Sequence, residues 1–116
     1  MKILIADDHT EMRKILRSIV TEESGKLDEI IECEDGFDAV EQFTLHQPDF
    51  VLMDVQLKGM NGFVATEKIH ERYPSAKVIF VTSHNSSAFR QKAIDLHAIG
   101  FVTKDNLSEI SRFLHN

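Results

Sequence analysis

Five short apolar runs, each followed by a polar break and then a helix-period pattern, constrain this chain more than any other feature. The runs cover residues 3–6, 29–33, 50–53, 77–81 and 99–102. A continuous apolar run bounded by turn signals suits a strand buried on both faces. The clearest is Phe50-Val-Leu-Met53, which leads straight into Asp54 and a Gly-containing loop ending at Gly62. The second run, Glu29-Ile-Ile-Glu-Cys33, carries acids and reads as a more exposed strand.

Between the runs the apolar spacing changes to that of one helix face. Met12, Ile15, Leu16, Ile19 and Val20 mark a first helix, with Asp8 or Thr10 as its cap and Glu11 in its first turn. A polar connection over residues 21–28 contains Ser24-Gly25, and Asp35-Gly36 reads as a turn. Ala39, Val40 and Phe43 predict a second helix, ended by Gln47-Pro48-Asp49. Ala65 and Ile69 predict a third, stopped near Tyr73-Pro74. Residues 84–87 offer several caps for a fourth helix with Phe89, Ala93 and Leu96 on one face. Asp105 or Asn106 is placed to cap a short last helix with Leu107, Ile110 and Leu114 inward. Strictly alternating units of this kind require right-handed crossovers and a parallel sheet covered on both faces. The expected fold is α/β: a doubly wound, five-stranded parallel sheet in the order 2-1-3-4-5.

Composition narrows the setting. At 116 residues the chain predicts one domain, residues 1–116, with enough length for a real core. A net charge of −6 disfavours direct binding to a phosphate backbone. Cys33 is the single cysteine, which rules out an internal disulfide and fits a reducing compartment. No apolar stretch approaches the roughly 18 residues of a membrane span, and Met1–Asp7 lacks a signal-peptide core. The expectation is a soluble, cytoplasmic chain with neither nucleic acid nor membrane as a direct partner.

In such a sheet the polar ends gather on one edge, where open α/β sheets bind ligands. The first strand contributes Asp7 and Asp8, the third Asp54, the fourth Thr82 and the fifth Lys104. Taken singly, each has an ordinary reading. Asp8 caps a helix, Asp54 is a turn residue, Thr82 ends a strand and Lys104 is a solvated lysine. Their convergence points elsewhere. Two carboxylates about 4 Å apart at an effective dielectric of about 20 repel by roughly 4 kcal/mol. A divalent cation relieves this, and an all-oxygen set favours Mg²⁺ over zinc. Lys104 and the Thr82 hydroxyl suit phosphoryl oxygens, and Asp54 suits a nucleophile.

Four motifs in order, Ala6-Asp7-Asp8-His9, Asp54-Val-Gln with Gly59-Met-Asn-Gly62, Val81-Thr82-Ser83 and Gly100-Phe-Val-Thr-Lys104, span the whole chain. Together they resemble the receiver domain of bacterial two-component response regulators. The Asp7-Asp8-His9 and Lys104-Asp105 elements resemble receivers that precede a LuxR-type helix-turn-helix. The resemblance implies a flavodoxin-like fold and a phosphorylation-dependent switch rather than a turnover enzyme. Asp54 would accept a phosphoryl group from a sensor histidine kinase or phosphotransfer protein, and the domain would catalyse its own phosphorylation and dephosphorylation. Mg²⁺ would be held by Asp8, Asp54 and the backbone carbonyl of Gln56, with Asp7 acting directly or through water. Thr82 and Lys104 would contact the phosphoryl group. Phe101 matches the aromatic that such domains turn inward, remodelling the face of the fourth helix, fifth strand and fifth helix toward an output domain or downstream protein. Gln56 and His84, each two residues past a site residue, would tune hydrolysis. The six histidines are otherwise scattered without ligand spacing and read as surface residues.

Two positions depart from the family pattern. Lys58 and Asp105 stand where prolines are common, and the former is expected to loosen the loop after Asp54. Both a stand-alone chain and the receiver part of a longer protein fit. A haloacid-dehalogenase-type phosphatase would want a second acid where Gln56 stands, and a flavodoxin-like cofactor site would be repelled by Asp7-Asp8. A degenerate receiver would have lost a site residue, and none is lost.

Overall fold

The computed structural model describes residues 1–23 and 25–114. Ser24, read as part of a polar connection, and His115, one of the six histidines, lie outside the described residues. Five strands, β1 (Lys2–Ala6), β2 (Glu29–Cys33), β3 (Phe50–Met53), β4 (Val78–Thr82) and β5 (Gly100–Thr103), form one parallel sheet in the order 2-1-3-4-5. The connecting helices are α1 (Thr10–Glu23), α2 (Gly36–His46), α3 (Gly62–Arg72) and α4 (Ser87–Asp95). A 3₁₀ turn at Leu107–Ile110 runs into the short α5 (Ser111–Leu114).

Alternation along the strands divides the core in two. Ile3, Ile5, Phe50, Leu52, Ile79 and Val81 face a cluster closed by Leu16 and Val20 of α1 with Ile110 and Leu114. Leu4, Ala6, Val51, Met53, Val78 and Phe80 face the opposite way, under Ala39 and Phe43 of α2, Ala65 and Ile69 of α3 and Ala93 of α4. Strands β3 and β4 are buried along their whole length, which is why they read as unbroken apolar runs. At the sheet edge, β2 buries Ile31 and Cys33 and exposes its acids.

Local chemistry sets the helix starts. Asp35, Asn61 and Ser86 each accept a backbone N–H three residues on, at 2.7, 3.0 and 3.1 Å, and so cap α2, α3 and α4. Asp35 is thus a cap rather than part of a turn, and Gly36 is already helical.

Three expectations need correction. Thr10 is already the first residue of α1 and His9 precedes it, so neither Thr10 nor Asp8 stands at the cap position. Ile15, assigned to the inward face of α1, is 46 % exposed, because the helix turns Leu16 and Val20 into the core with Met12 and Ile19 packed beside them. Neither Asp105 nor Asn106 caps the last helical segment. Asp105 Oδ1 instead accepts the Thr103 hydroxyl, and Asn106 makes no side-chain cap bond.

Candidate functional site

The ends of β1, β3, β4 and β5 bring the predicted polar residues to one edge of the sheet. Asp7 and Asp54 follow the last residues of the paired strands β1 and β3, and Asp54 N–H donates to Ala6 O at 2.9 Å. Both are buried, at 1 % and 3 % exposure. Asp8, one residue further out, is less buried. Lys104 follows β5, its backbone N–H bonded to Thr82 O at 2.8 Å. Its ammonium crosses the sheet edge to lie 2.9 Å from Asp7 Oδ2 and 3.0 Å from Asp54 Oδ2.

The charges are held in tension. Burial pushes the Asp54 carboxyl above its ordinary value, with Lys104 opposing the shift and Asp7 adding to it. Burial pulls Lys104 down, but Asp7 and Asp54 outweigh it and the ammonium sits above its ordinary value. One cation therefore faces three acids. Asp7, Asp8, Asp54 and His9 each offer a donor atom within 4.8 Å of the others. Apart from ion pairs with Lys104 and His9, Asp7 Oδ2 and Asp8 Oδ1 are buried without a hydrogen bond. Oxygens left over in this way suit a small divalent cation, and the residues present fit one.

The two neighbouring loops repeat one geometry. Gln56 N–H donates to Asp54 Oδ1 and His84 N–H donates to Thr82 Oγ1, both at 3.2 Å. Thr82 is fully buried, while the Gln56 and His84 side chains are exposed. Gly62 N–H bonds to Val55 O at 2.8 Å, closing the loop after Asp54. A Cβ on Gly62 would lie 2.1 Å from the Asp54 carbonyl oxygen, so only glycine lets α3 start this close to the site. Lys58 is not loose: its carbonyl accepts Gly36 N–H at 3.2 Å, and it bridges to Asp35.

Phe101 lies apart from this cluster. It is half-buried on β5, with the Arg90 guanidinium 4.8 Å above its ring. Arg90 also donates through Nε to Asn85 Oδ1 at 3.0 Å, linking the ring to the loop after Thr82. The periodicity of α4 does not mark Arg90, and only the fold places it over the aromatic. Sequence spacing gives His9 no more than a surface reading. Its side chain is exposed, yet Nδ1 lies 3.2 Å from Asp7 Oδ1 and 3.0 Å from Asp8 Oδ1. A separate cleft of about 390 Å³, lined by Arg13, Glu32, Cys33, Glu34 and Asp38, contains none of the predicted site residues.

The model of the response regulator receiver domain family matches residues 3–114. The chain belongs to that family. It is 36 % identical over 103 residues to the chemotaxis protein CheY of Halobacterium salinarum, covering 89 % of this chain and 83 % of that one. It is 30 % identical over 105 residues to the transcriptional regulatory protein DegU of Brevibacillus brevis, covering 90 % of this chain and 44 % of DegU. The receiver thus spans less than half of that regulator. Among solved structures it resembles a LuxR-family two-component response regulator from Aurantimonas sp. SI85-9A1, with a TM-score of 0.90 and 30 % identity over 98 % of this chain and 81 % of that one. It also resembles a chain of the CheX–CheY–BeF3–Mg²⁺ complex from Borrelia burgdorferi, with a TM-score of 0.81 and 25 % identity over 90 % and 78 % of the two chains. Receivers of response regulators are signalling domains of two-component systems. Among the described residues, no helix is long and apolar enough to cross a membrane.

Proposed function

We propose that this receiver is a phosphorylation switch in which Asp54 accepts a phosphoryl group from a sensor histidine kinase or phosphotransfer protein. The observation that carries the reading is the Lys104 ammonium held between Asp7 and Asp54, 2.9 and 3.0 Å away, at the buried edge of the sheet. An Asp54 carboxylate oxygen attacks phosphorus, the P–N bond to the donor imidazole breaks, and that imidazole leaves with a proton. Lys104 meets charge on the transferred group, and the Thr82 hydroxyl, whose oxygen accepts His84 N–H, donates its own O–H to a phosphoryl oxygen. Asp7, Asp8 and Asp54, with the Gln56 carbonyl, would hold Mg²⁺, which supplies neutralisation of the negative charge gathered at the site. Water returns the carboxylate by hydrolysis, and the exposed Gln56 and His84 stand where they tune its approach.

Movement of Thr82 toward the new oxygens frees space on the β4–β5 side, which Phe101 fills by turning inward. The α4–β5–α5 face then changes shape toward an output domain or downstream protein. Similarity to LuxR-family regulators supports a DNA-binding output domain as that partner.

Intact mass after incubation with Mg²⁺ and acetyl phosphate tests this, for wild type and Asp54→Ala. A labile phosphoryl adduct on wild type alone, abolished by chelator, is expected. No adduct on either protein turns the reading toward a phosphorylation-independent binding module. An adduct that persists in Asp54→Ala assigns the wrong nucleophile.

A further inference from the structure

We propose that His9 is a direct ligand of the divalent cation at the Asp7–Asp8–Asp54 site, and that its nitrogen donor biases the site toward Mn²⁺ over Mg²⁺. The inference rests on the metal reading above and adds a residue and a selectivity to it. Donor spacing carries it. An octahedral ion with ligand bonds of about 2.1 Å sets adjacent donors about 3.0 Å apart. His9 Nδ1 is 3.0 Å from Asp8 Oδ1 and 3.2 Å from Asp7 Oδ1, within hydrogen-bond reach of both acids, and the same separations fit neighbouring corners of one coordination shell. Asp54 supplies a further donor within 4.8 Å of all three.

The backbone explains why the imidazole is there. His9 is the last residue before α1, and its N–H is anchored on Asp7 Oδ1 at 2.8 Å, which turns the side chain back over the cluster. The nearly inaccessible Asp7 has its Oδ2 held by Lys104, and Asp8 Oδ1 faces the His9 ring. The ring itself is exposed while its Nδ1 lies beside the buried Asp7, so it reaches an ion without moving the core.

Chemistry then sets the preference. Hard Mg²⁺ gains little from exchanging a water for imidazole, whereas affinity for nitrogen donors rises along the transition series from Mn²⁺. Coordination through Nδ1 uses the neutral ring, with its proton on Nε2.

The test is Mn²⁺ binding to the whole chain, followed by electron paramagnetic resonance in buffer at about pH 8, where free imidazole is neutral. Pulsed spin-echo spectra read nitrogen coupling to the bound ion in wild type, His9→Ala, His9→Gln and Asp54→Asn. Wild type is expected to show nitrogen modulation that both His9 variants lose. Their Mn²⁺ affinity should fall by at least roughly tenfold, the lower end of what losing even an outer-shell partner costs, while Mg²⁺ competition changes far less. Equal Mn²⁺ affinity in the His9 variants, or nitrogen modulation that survives in them, overturns the assignment of His9 and leaves the acidic site standing. Mn²⁺ binding that is absent from wild type, or unaffected by Asp54→Asn, removes the metal site itself and His9 with it.

Discussion

Replacing Asp54 by Asn should stabilise the cation-free protein, although it removes the residue on which the proposed function depends. The donor oxygens of Asp7, Asp8 and Asp54 lie within 4.8 Å of one another. At that separation and an effective dielectric of about 20, a pair of charges repels by about 3.5 kcal/mol, and Asp7 is the acid that weighs on Asp54. Attraction to the Lys104 ammonium at 3.0 Å returns about 5.5 kcal/mol on the same scale. Lys104 therefore more than offsets Asp7, and burial, the largest cause, is what turns the balance against the ionised Asp54. The substituted amide keeps the volume, and its single oxygen can accept from either Gln56 N–H or the Lys104 ammonium. Urea unfolding in chelator should therefore show a gain of about 1–2 kcal/mol at neutral pH, equivalent to several degrees in Tm. The pH dependence has a definite sign. Because the folded carboxyl titrates above its unfolded value, it contributes stability below the unfolded pKa, near 3.9, and that contribution is lost as pH rises through the folded value. The advantage of Asp54→Asn should accordingly shrink on acidification. Added Mg²⁺ should raise wild-type stability by mass action and close the gap. An Asp54→Asn variant that is less stable than wild type in chelator at neutral pH would refute the claim that burial and the charge of Asp7 disfavour the ionised Asp54.

Gly62→Ala puts a methyl 2.1 Å from the Asp54 carbonyl oxygen, so α3 must shift, and thermal unfolding should report a loss of about 1–3 kcal/mol. Arg90→Ala removes the cation above Phe101 and the tie to Asn85. A contact of this kind at a partly exposed site is worth about 0.5–1 kcal/mol, so NMR shifts of Phe101 should move toward those of the phosphorylated protein. Unchanged shifts would mean that Arg90 does not hold the ring. Burial pushes the Cys33 thiol up to about 12, helped by Asp38 and Asp35. A disulfide reagent at neutral pH should therefore label Cys33 slowly, with rates that rise with urea. Rapid labelling without denaturant would contradict the buried placement.

The sheet and the main members of the site can be read from residue order alone, because both follow from short-range pattern. Strands β3 and β4 are buried on both faces, so Phe50–Met53 and Val78–Thr82 advertise themselves as unbroken apolar runs. A polar residue at the end of such a run has one place to go, the carboxyl edge of a parallel sheet. Asp7, Asp54, Thr82 and Lys104 were legible for that reason. Tertiary structure decided what no period encodes, namely which neighbour covers a given face. Ile15 has the spacing of a buried residue and is 46 % exposed, because α1 turns Leu16 and Val20 into the core with Met12 and Ile19 beside them. His9 carries no ligand spacing in the chain, and its place beside Asp7 and Asp8 comes from the backbone turn that starts α1. Arg90 and Phe101 sit on different elements 11 residues apart, and only the packing of α4 on β5 puts the guanidinium over the ring. Hydrophobic periodicity records which residues leave water. Contacts among half-exposed polar groups are settled by the three-dimensional placement of their backbones.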